Sequence, residues 1–235
     1  MNTLIQQESG LLGSAESVTA LAETDSSRIL VVSDTHGHYP VFEAIVREYG
    51  PRCDALLFAG DGMWDLVEYV ENAHDSERLK DALPPVVAFV SGNGDGDQYR
   101  VRLGASGDPE YPREAPGCTL VVPSRQIVHA SGYSVLLTHG HRYSVDVSLE
   151  MLVDSAHAMK CDIAVFGHTH IPFAETFTHI LALNPGSPAR PRGKSEPSFA
   201  VIELDATSTE PVPSFYLVRE GLLGGFIFDE PITER

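Results

Sequence analysis

The stretch Arg28-Ile29-Leu30-Val31-Val32-Ser33-Asp34-Thr35-His36-Gly37-His38 decides the fold class. A short apolar run, bounded by a polar cluster, reads as a buried strand that delivers chemistry-bearing side chains at its end. Val41, Phe42, Ile45 and Val46 then share one helical face, and Gly50-Pro51 stops the helix. The unit recurs downstream: strand Ala55 to Phe58, turn Gly60-Asp61-Gly62, a mostly helical stretch from Leu66 to Leu83, strand Val86 to Val90, then Ser91-Gly92-Asn93-Gly94-Asp95. Strands alternating with helices predict an α/β fold, in which ligands collect at the carboxyl edge of the sheet.

Working outward, residues 96 to about 120 lack periodicity and read as a long loop. Its course from Asn93 is expected to bring Tyr99, Arg100, Arg102 and Tyr111 to the same edge. Gln126 to Ala130 and Tyr133 to Leu137, joined by Ser131-Gly132, read as a β-hairpin that runs into Thr138-His139-Gly140-His141. A helix is expected over Val145 to Lys160 and a strand over Asp162 to Phe166, which ends in Gly167-His168-Thr169-His170. Strands near 177–183, 198–204 and 214–218 follow without helices and predict an antiparallel second sheet. Residues 1–26 are weakly periodic and read as an extension, disordered unless docked, before a domain at 27–220 and a tail at 221–235.

The chain of 235 residues carries a formal charge of −17, which repels a nucleic-acid backbone and argues against a polyanion-coating surface. Cys53, Cys118 and Cys161 are too scattered for a disulfide framework or thiolate zinc site, so a reducing, cytoplasmic setting is expected. No stretch reads as a signal peptide or reaches membrane-spanning length.

Asp34 and His36 lie two apart at a strand end, so a period of two is expected to point both toward one cation. Asp61, flanked by glycines, has two carboxylate oxygens with which to bridge cations. Asn93 offers a neutral amide oxygen, and His139, His168 and His170 offer imidazoles at two further strand ends. Taken singly, each has an ordinary reading as a cap, a turn residue or a hydrogen-bonded loop histidine. Their joint occurrence at one predicted edge carries the functional reading.

The ordered set Asp34-x-His36, Gly60-Asp61, Gly92-Asn93-x-Asp95, Thr138-His139-Gly140-His141 and Gly167-His168-Thr169-His170, with Asn184-Pro185-Gly186-Ser187, resembles the calcineurin-like metallophosphoesterase superfamily. Its short bacterial and archaeal YfcE-like phosphodiesterase branch is the most similar. The resemblance implies a four-layer αββα sandwich, with two mainly β sheets face to face and helices outside. It also implies a dinuclear centre, in which Asp34, His36, Asp61 and His170 hold one divalent ion and Asp61, Asn93, His139 and His168 the other. Oxygen and imidazole ligands suit Mn, Fe, Zn or Ni, with manganese taken first. Two such cations against two carboxylates and a bridging hydroxide leave a centre of about +1, attractive to a phosphate ester.

The resemblance has one break. Many superfamily members carry a histidine after the metal-binding Asn, able to protonate the leaving oxygen, and Gly94 stands there. Asp95, His141 or His38 are the substitutes within reach of the motifs, and Arg190 and Arg192 are candidate phosphate contacts. The expected function is therefore metal-dependent hydrolysis of small phosphate esters, diesters first. A catalytically weak interaction scaffold, as in the eukaryotic retromer subunit that resembles this branch, is the alternative; homo-oligomerisation is left open.

Overall fold

A computed structural model describes residues 1–103, 117–208, 210–222 and 224–229. In chain order, β1 (Leu12–Gly13) and α1 (Ala15–Glu23) precede β2 (Ser26–Val32), α2 (Tyr39–Tyr49), β3 (Ala55–Phe58), α3 (Met63–Asp75), α4 (Glu77–Ala82) and β4 (Val86–Phe89). Then come β5 (Gln98–Arg102), β6 (Gly117–Val121), β7 (Arg125–Ala130), β8 (Tyr133–Thr138), α5 (Glu150–Ala158) and β9 (Ile163–Val165). The last elements are β10 (Pro172–Phe177), β11 (Ile180–Pro185), β12 (Ser198–Asp205), β13 (Val212–Glu220) and β14 (Phe226–Asp229).

One sheet has the order β1-β4-β3-β2-β12-β13-β14 and the other β10-β11-β9-β8-β7. Alternation along the strands builds the four layers. In β2, Leu30 and Val32 face the helices α2 and α3, whereas Ile29 and Val31 face the second sheet. In β8 and β9, Val135, Leu137, Ile163 and Val165 face the first sheet, and Leu136 and Ala164 turn out toward α5. The αββα sandwich expected from the resemblance is thus the observed fold. No helix among the described residues is long and apolar enough to cross a membrane.

Three readings are corrected. The late strands do not form a separate antiparallel sheet: β12 enters the first sheet antiparallel to β2, with Ala200 opposite Val31, and only β10 and β11 join the second. The reason is its composition. Phe199 and Val201 pack on the helix side while Ala200 and Ile202 pack between the sheets, so β12 is apolar on both faces and belongs in a sheet interior. The segment near 177–183 is the junction of the β10–β11 hairpin, not one strand. The long loop includes an antiparallel β5–β6 ribbon, while residues 104–116, Tyr111 among them, lie outside the described residues.

Residues 1–26, expected to be ordered only if docked, have a docking surface. β1 adds to the edge of the first sheet beside β4, and Leu11 and Leu21 close the side of the core between the sheets. Asn2 is buried, its amide donating to the carbonyls of Pro84 at 2.8 Å and Pro85 at 3.1 Å. Short elements that draw their stability from docking leave little periodic signal. Asn2→Ala is expected to cost about 1–3 kcal/mol by leaving buried carbonyls unpartnered, read as a Tm lower by several degrees in thermal unfolding. The tail behaves likewise: β14 pairs with β13, and Phe226 and Phe228 pack against the helix-side core.

Candidate metal centre

The loops after β2, β3, β4, β8 and β9 carry the five polar clusters, and the parallel strands aim them at one edge of the sandwich. The convergence of paired ligands has a different local cause from the strand period expected. β2 ends at Val32 and β9 at Val165, and the backbone is left-handed at Asp34 (φ 57°), His36 (49°), Asp61 (53°), His168 (70°) and His170 (59°). These are half of the non-glycine residues with positive φ among the described residues. Such conformations cost on the order of 1 kcal/mol or more each and persist only where surrounding bonds impose them.

Those bonds are present. Asp34 N–H donates to Gly60 O and His36 N–H to Asp61 O, both at 2.9 Å, tying the first loop to the second. Asp65 accepts from Thr35 Oγ1 and, at 3.0 Å, from Gly37 N–H, holding the first loop from the far side. Asn184 donates to Gly167 O at 2.7 Å, and Ser187 Oγ donates to Asp34 O at 2.7 Å. The Asn-Pro-Gly-Ser segment therefore braces two ligand loops at once.

The outcome is two groups of donors that share Asp34: Asp34 with His36 and His170, and Asp34 with Asp61 and His139. Asp34 Oδ1 lies 3.2 Å from His170 Nε2, and the Nε2 atoms of His36 and His170 are 3.0 Å apart. Asp61 Oδ2 faces both groups, 3.5 Å from His139 Nε2 and 4.0 Å from His36 Nε2. His168 joins from the side, its ring 5.2 Å from that of His139 and its N–H donating to Asp34 Oδ2 at 3.0 Å. Asn93 occupies the exposed turn between Gly92 and Gly94, the latter donating its N–H to Asp61 Oδ1 at 2.7 Å.

These residues fit divalent cations. Asp34 Oδ1 and His139 Nε2 are buried without a hydrogen-bond partner, an arrangement that costs about 1–3 kcal/mol per group unless something else satisfies them. His139 Nδ1 meets Ala59 O at 2.7 Å and His170 Nδ1 meets Arg190 O, so each Nδ1–H is spent on a carbonyl and each Nε2 lone pair is turned to the centre. The Nε2 atoms of His36 and His170, 3.0 Å apart, are close enough for both to ligate one cation.

The electrostatics agree. Burial pushes the Asp61 carboxyl up, but His139 and the Gly94 N–H outweigh it and hold it well below the usual carboxylate range. Burial pulls the His139 imidazole down, and Asp61 and Asp34 outweigh that and raise it. His36 and His168 are lowered, chiefly by burial, which favours the neutral imidazole that ligates metals.

With this geometry, the calcineurin-like phosphoesterase superfamily domain matches residues 28–207. The chain belongs to that superfamily. The phosphodiesterase YfcE of Escherichia coli K12 is 27% identical over 187 residues, covering 77% of this chain and 90% of that protein. A predicted phosphoesterase of Streptococcus pneumoniae TIGR4 has the same fold, with a TM-score of 0.56 at 23% identity, covering 90% and 95% of the two chains. So does vacuolar protein sorting 29 of Cryptosporidium parvum, at 0.57 and 19%, covering 88% and 98%.

Within this phosphoesterase domain the remaining expected site residues part company. Asp95 does not stand free as a proton donor: its carboxylate accepts from the backbone N–H of Asp61 at 2.7 Å, Gly62 at 3.2 Å, Met63 at 3.0 Å and Gly92 at 2.9 Å. It is the clamp that fixes the Asp61 turn. His141 stays at the centre, its ring 5.4 Å from His139 and 6.2 Å from His168, with Nδ1 buried and unpartnered. His38 is exposed at the start of α2.

Arg190 contributes its carbonyl to His170, and Arg192 Nη1 donates to His168 O at 3.3 Å, so both serve the ligand loop. Tyr99 is buried against Trp64, its hydroxyl accepting from Gly96 N–H at 2.8 Å, and Arg102 is ion-paired to Glu71 two turns along α3. The bracing residues Asp65, Asn184 and Ser187 escape a residue-by-residue reading of chemistry. Only the Asn-Pro-Gly-Ser signature hinted at the last two.

Proposed function

We propose that this chain is a metal-dependent phosphodiesterase working with two divalent cations, manganese first among Mn, Fe, Zn and Ni, on small phosphate esters. The observation that carries the reading is the convergence of Asp34, His36, Asp61, His139, His168 and His170 around two buried, unpartnered donor atoms. Asp34, His36, Asp61 and His170 would hold one cation, and Asp61, Asn93, His139 and His168 the other. When bound, the cations supply an activated water and neutralise charge on the phosphoryl oxygens.

The chain's own residues provide the orientation. Gly94 N–H fixes Asp61 Oδ1, leaving Oδ2 toward both histidine groups, and Asp95 holds the turn beneath it. The carbonyls of Ala59 and Arg190 set the tautomers of His139 and His170. His141 is the imidazole placed to meet substrate beside His139 and His168. A scaffold role has the Vps29 likeness behind it, but at 19% identity that likeness speaks for the fold alone. The intact donor set favours hydrolysis.

The test is metal-stripped protein reloaded with each metal and assayed on mono- and diesters, alongside anomalous diffraction. Two metal peaks about 3.5–4 Å apart astride Asp61 are expected. One fully occupied site with Asn93 and His139 turned away would defeat the dinuclear assignment, and no turnover with any metal would leave the scaffold reading.

Gly94 supplies no proton, so nitrophenyl diesters are expected to be hydrolysed far faster than alkyl diesters, whose leaving oxygen needs protonation. A side chain at this position would start 3.2 Å from Asp61 Oδ1, close enough to serve the centre with a slight shift of the carboxylate. Gly94→His is expected to raise rates on alkyl leaving groups by about 100-fold and to change aryl rates little. Equal native rates on both classes, with chemistry rate-limiting, would count against this account.

A further inference from the structure

Beside the centre lies a groove of about 510 Å³, within the range of roughly 300–1,000 Å³ typical of small-ligand sites. Its walls are Val145, Val147, Leu149, Phe166, Ile171 and Phe173. They come from the segment between β8 and α5, from the turn between β9 and β10, and, for Phe173, from the start of β10; the first two segments also carry His139, His141, His168 and His170.

The groove is continuous with the ligand loop. Thr169, between His168 and His170, forms part of its wall, and Asp146 Oδ1 lies 4.0 Å from His168 Nε2. Arg192, also lining it, donates through Nη1 to His168 O and through its backbone N–H to His170 O, each at 3.3 Å. Its inner surface is built from buried Val145 and Phe166, with Phe173 packed 6.4 Å from Phe166 ring to ring. At the mouth, Val147 is 84% exposed and Ile171 44% exposed. Apolar side chains held open in this way gain about 25 cal/mol for each Å² that a ligand covers. Asp146 and Arg192 are the only formal charges among the lining residues, one of each sign, against six apolar side chains.

We propose that this groove is the subsite for one ester substituent of the substrate and that it selects an uncharged apolar group, alkyl or aryl, over a charged one. The inference rests on the phosphodiesterase reading for the reaction, and on the groove's own lining for the selectivity. It narrows the substrate class to phosphodiesters with a lipid-like or aromatic arm.

The test uses metal-loaded full-length protein with nitrophenyl methyl, butyl and octyl phosphates, in which the leaving group is constant and only the retained arm grows. Calorimetric titration with methyl- and octylphosphonate gives a readout independent of turnover. Each methylene that enters the groove is expected to raise kcat/KM by up to about fourfold, so about three or four entering methylenes give a methyl-to-octyl ratio on the order of 100-fold. The double variant Val147→Gln, Ile171→Gln is expected to compress that ratio several-fold, and to reduce by a similar factor the preference of the unmodified protein for octylphosphonate over methylphosphonate. Turnover of the methyl ester with no dependence on chain length in either measurement would overturn the subsite and leave the phosphodiesterase reading standing. Chain-length-dependent phosphonate binding without turnover on any metal would keep the subsite and overturn the reaction. Absence of both would overturn the two together.

Discussion

Asp61→Ala protein is expected to lose at least about 10³-fold in kcat/KM, on the order of 4 kcal/mol of transition-state stabilisation, together with most of its bound metal. Asp61 Oδ2 faces His139 and His36 at once, so its removal takes a ligand and a negative charge from both groups of donors. The His139 imidazole, held up by Asp61 and Asp34, also loses its nearest carboxylate. Asn93→Ala is the comparison. It deletes a neutral oxygen on an exposed turn, and a smaller loss is expected, on the order of 100-fold, with metal retained in the other group. Metal content by elemental analysis and turnover should fall together across the two variants. Full activity in metal-depleted Asp61→Ala protein would refute the mechanism.

Gly92→Ala is expected to damage the centre nearly as severely while leaving the identity of every ligand residue unchanged. A Cβ at residue 92 would sit 2.1 Å from Asp61 Oδ1 and 2.5 Å from Asp61 N, inside contact distance of backbone as well as side chain. The Asp61 turn has nowhere to retreat, because its N–H groups are pinned to Asp95 and the Gly60 carbonyl accepts from Asp34. Overpacking of this kind costs about 1–3 kcal/mol, which in a chain of this size lowers Tm by roughly 2–12 °C. Activity is expected to drop by at least about 100-fold, since a displacement near 1 Å at a catalytic group has that effect. Thermal unfolding and turnover measured on one preparation check both parts. A variant with unchanged Tm and kcat would mean that the loops after β3 and β4 adjust freely, and that the close approach does not hold Asp61 in place.

Much of the architecture could be read from local pattern. Ala55–Phe58 and the hairpin around Ser131-Gly132 appear in the structure nearly as expected, since buried strands and tight turns each leave a short-range signature. The placement of β12 was not legible, because apolar residues on both faces say that a strand is interior without saying to which sheet it belongs. The order of residues 1–26 and of β14 was not legible for a related reason. Their stability comes from docking on surfaces that other parts of the chain build, as Asn2 does on Pro84 and Pro85.

The division at the centre is sharper. By itself the sequence determined the donor inventory, Asp34, His36, Asp61, Asn93, His139, His168 and His170, and its order along the chain, because ligand chemistry is a property of side-chain type. The tertiary structure alone decided how those donors are aimed. The left-handed backbone at five of them, the tautomers set by the Ala59 and Arg190 carbonyls, and the bracing by Asp65, Asp95, Asn184 and Ser187 all depend on hydrogen bonds between loops far apart in sequence. The same holds for Asp95, whose sequence neighbourhood allows a proton donor and whose four backbone N–H partners make it a clamp. A carboxylate's role is set by what surrounds it, and those surroundings exist only once the two sheets have packed and brought the loops together.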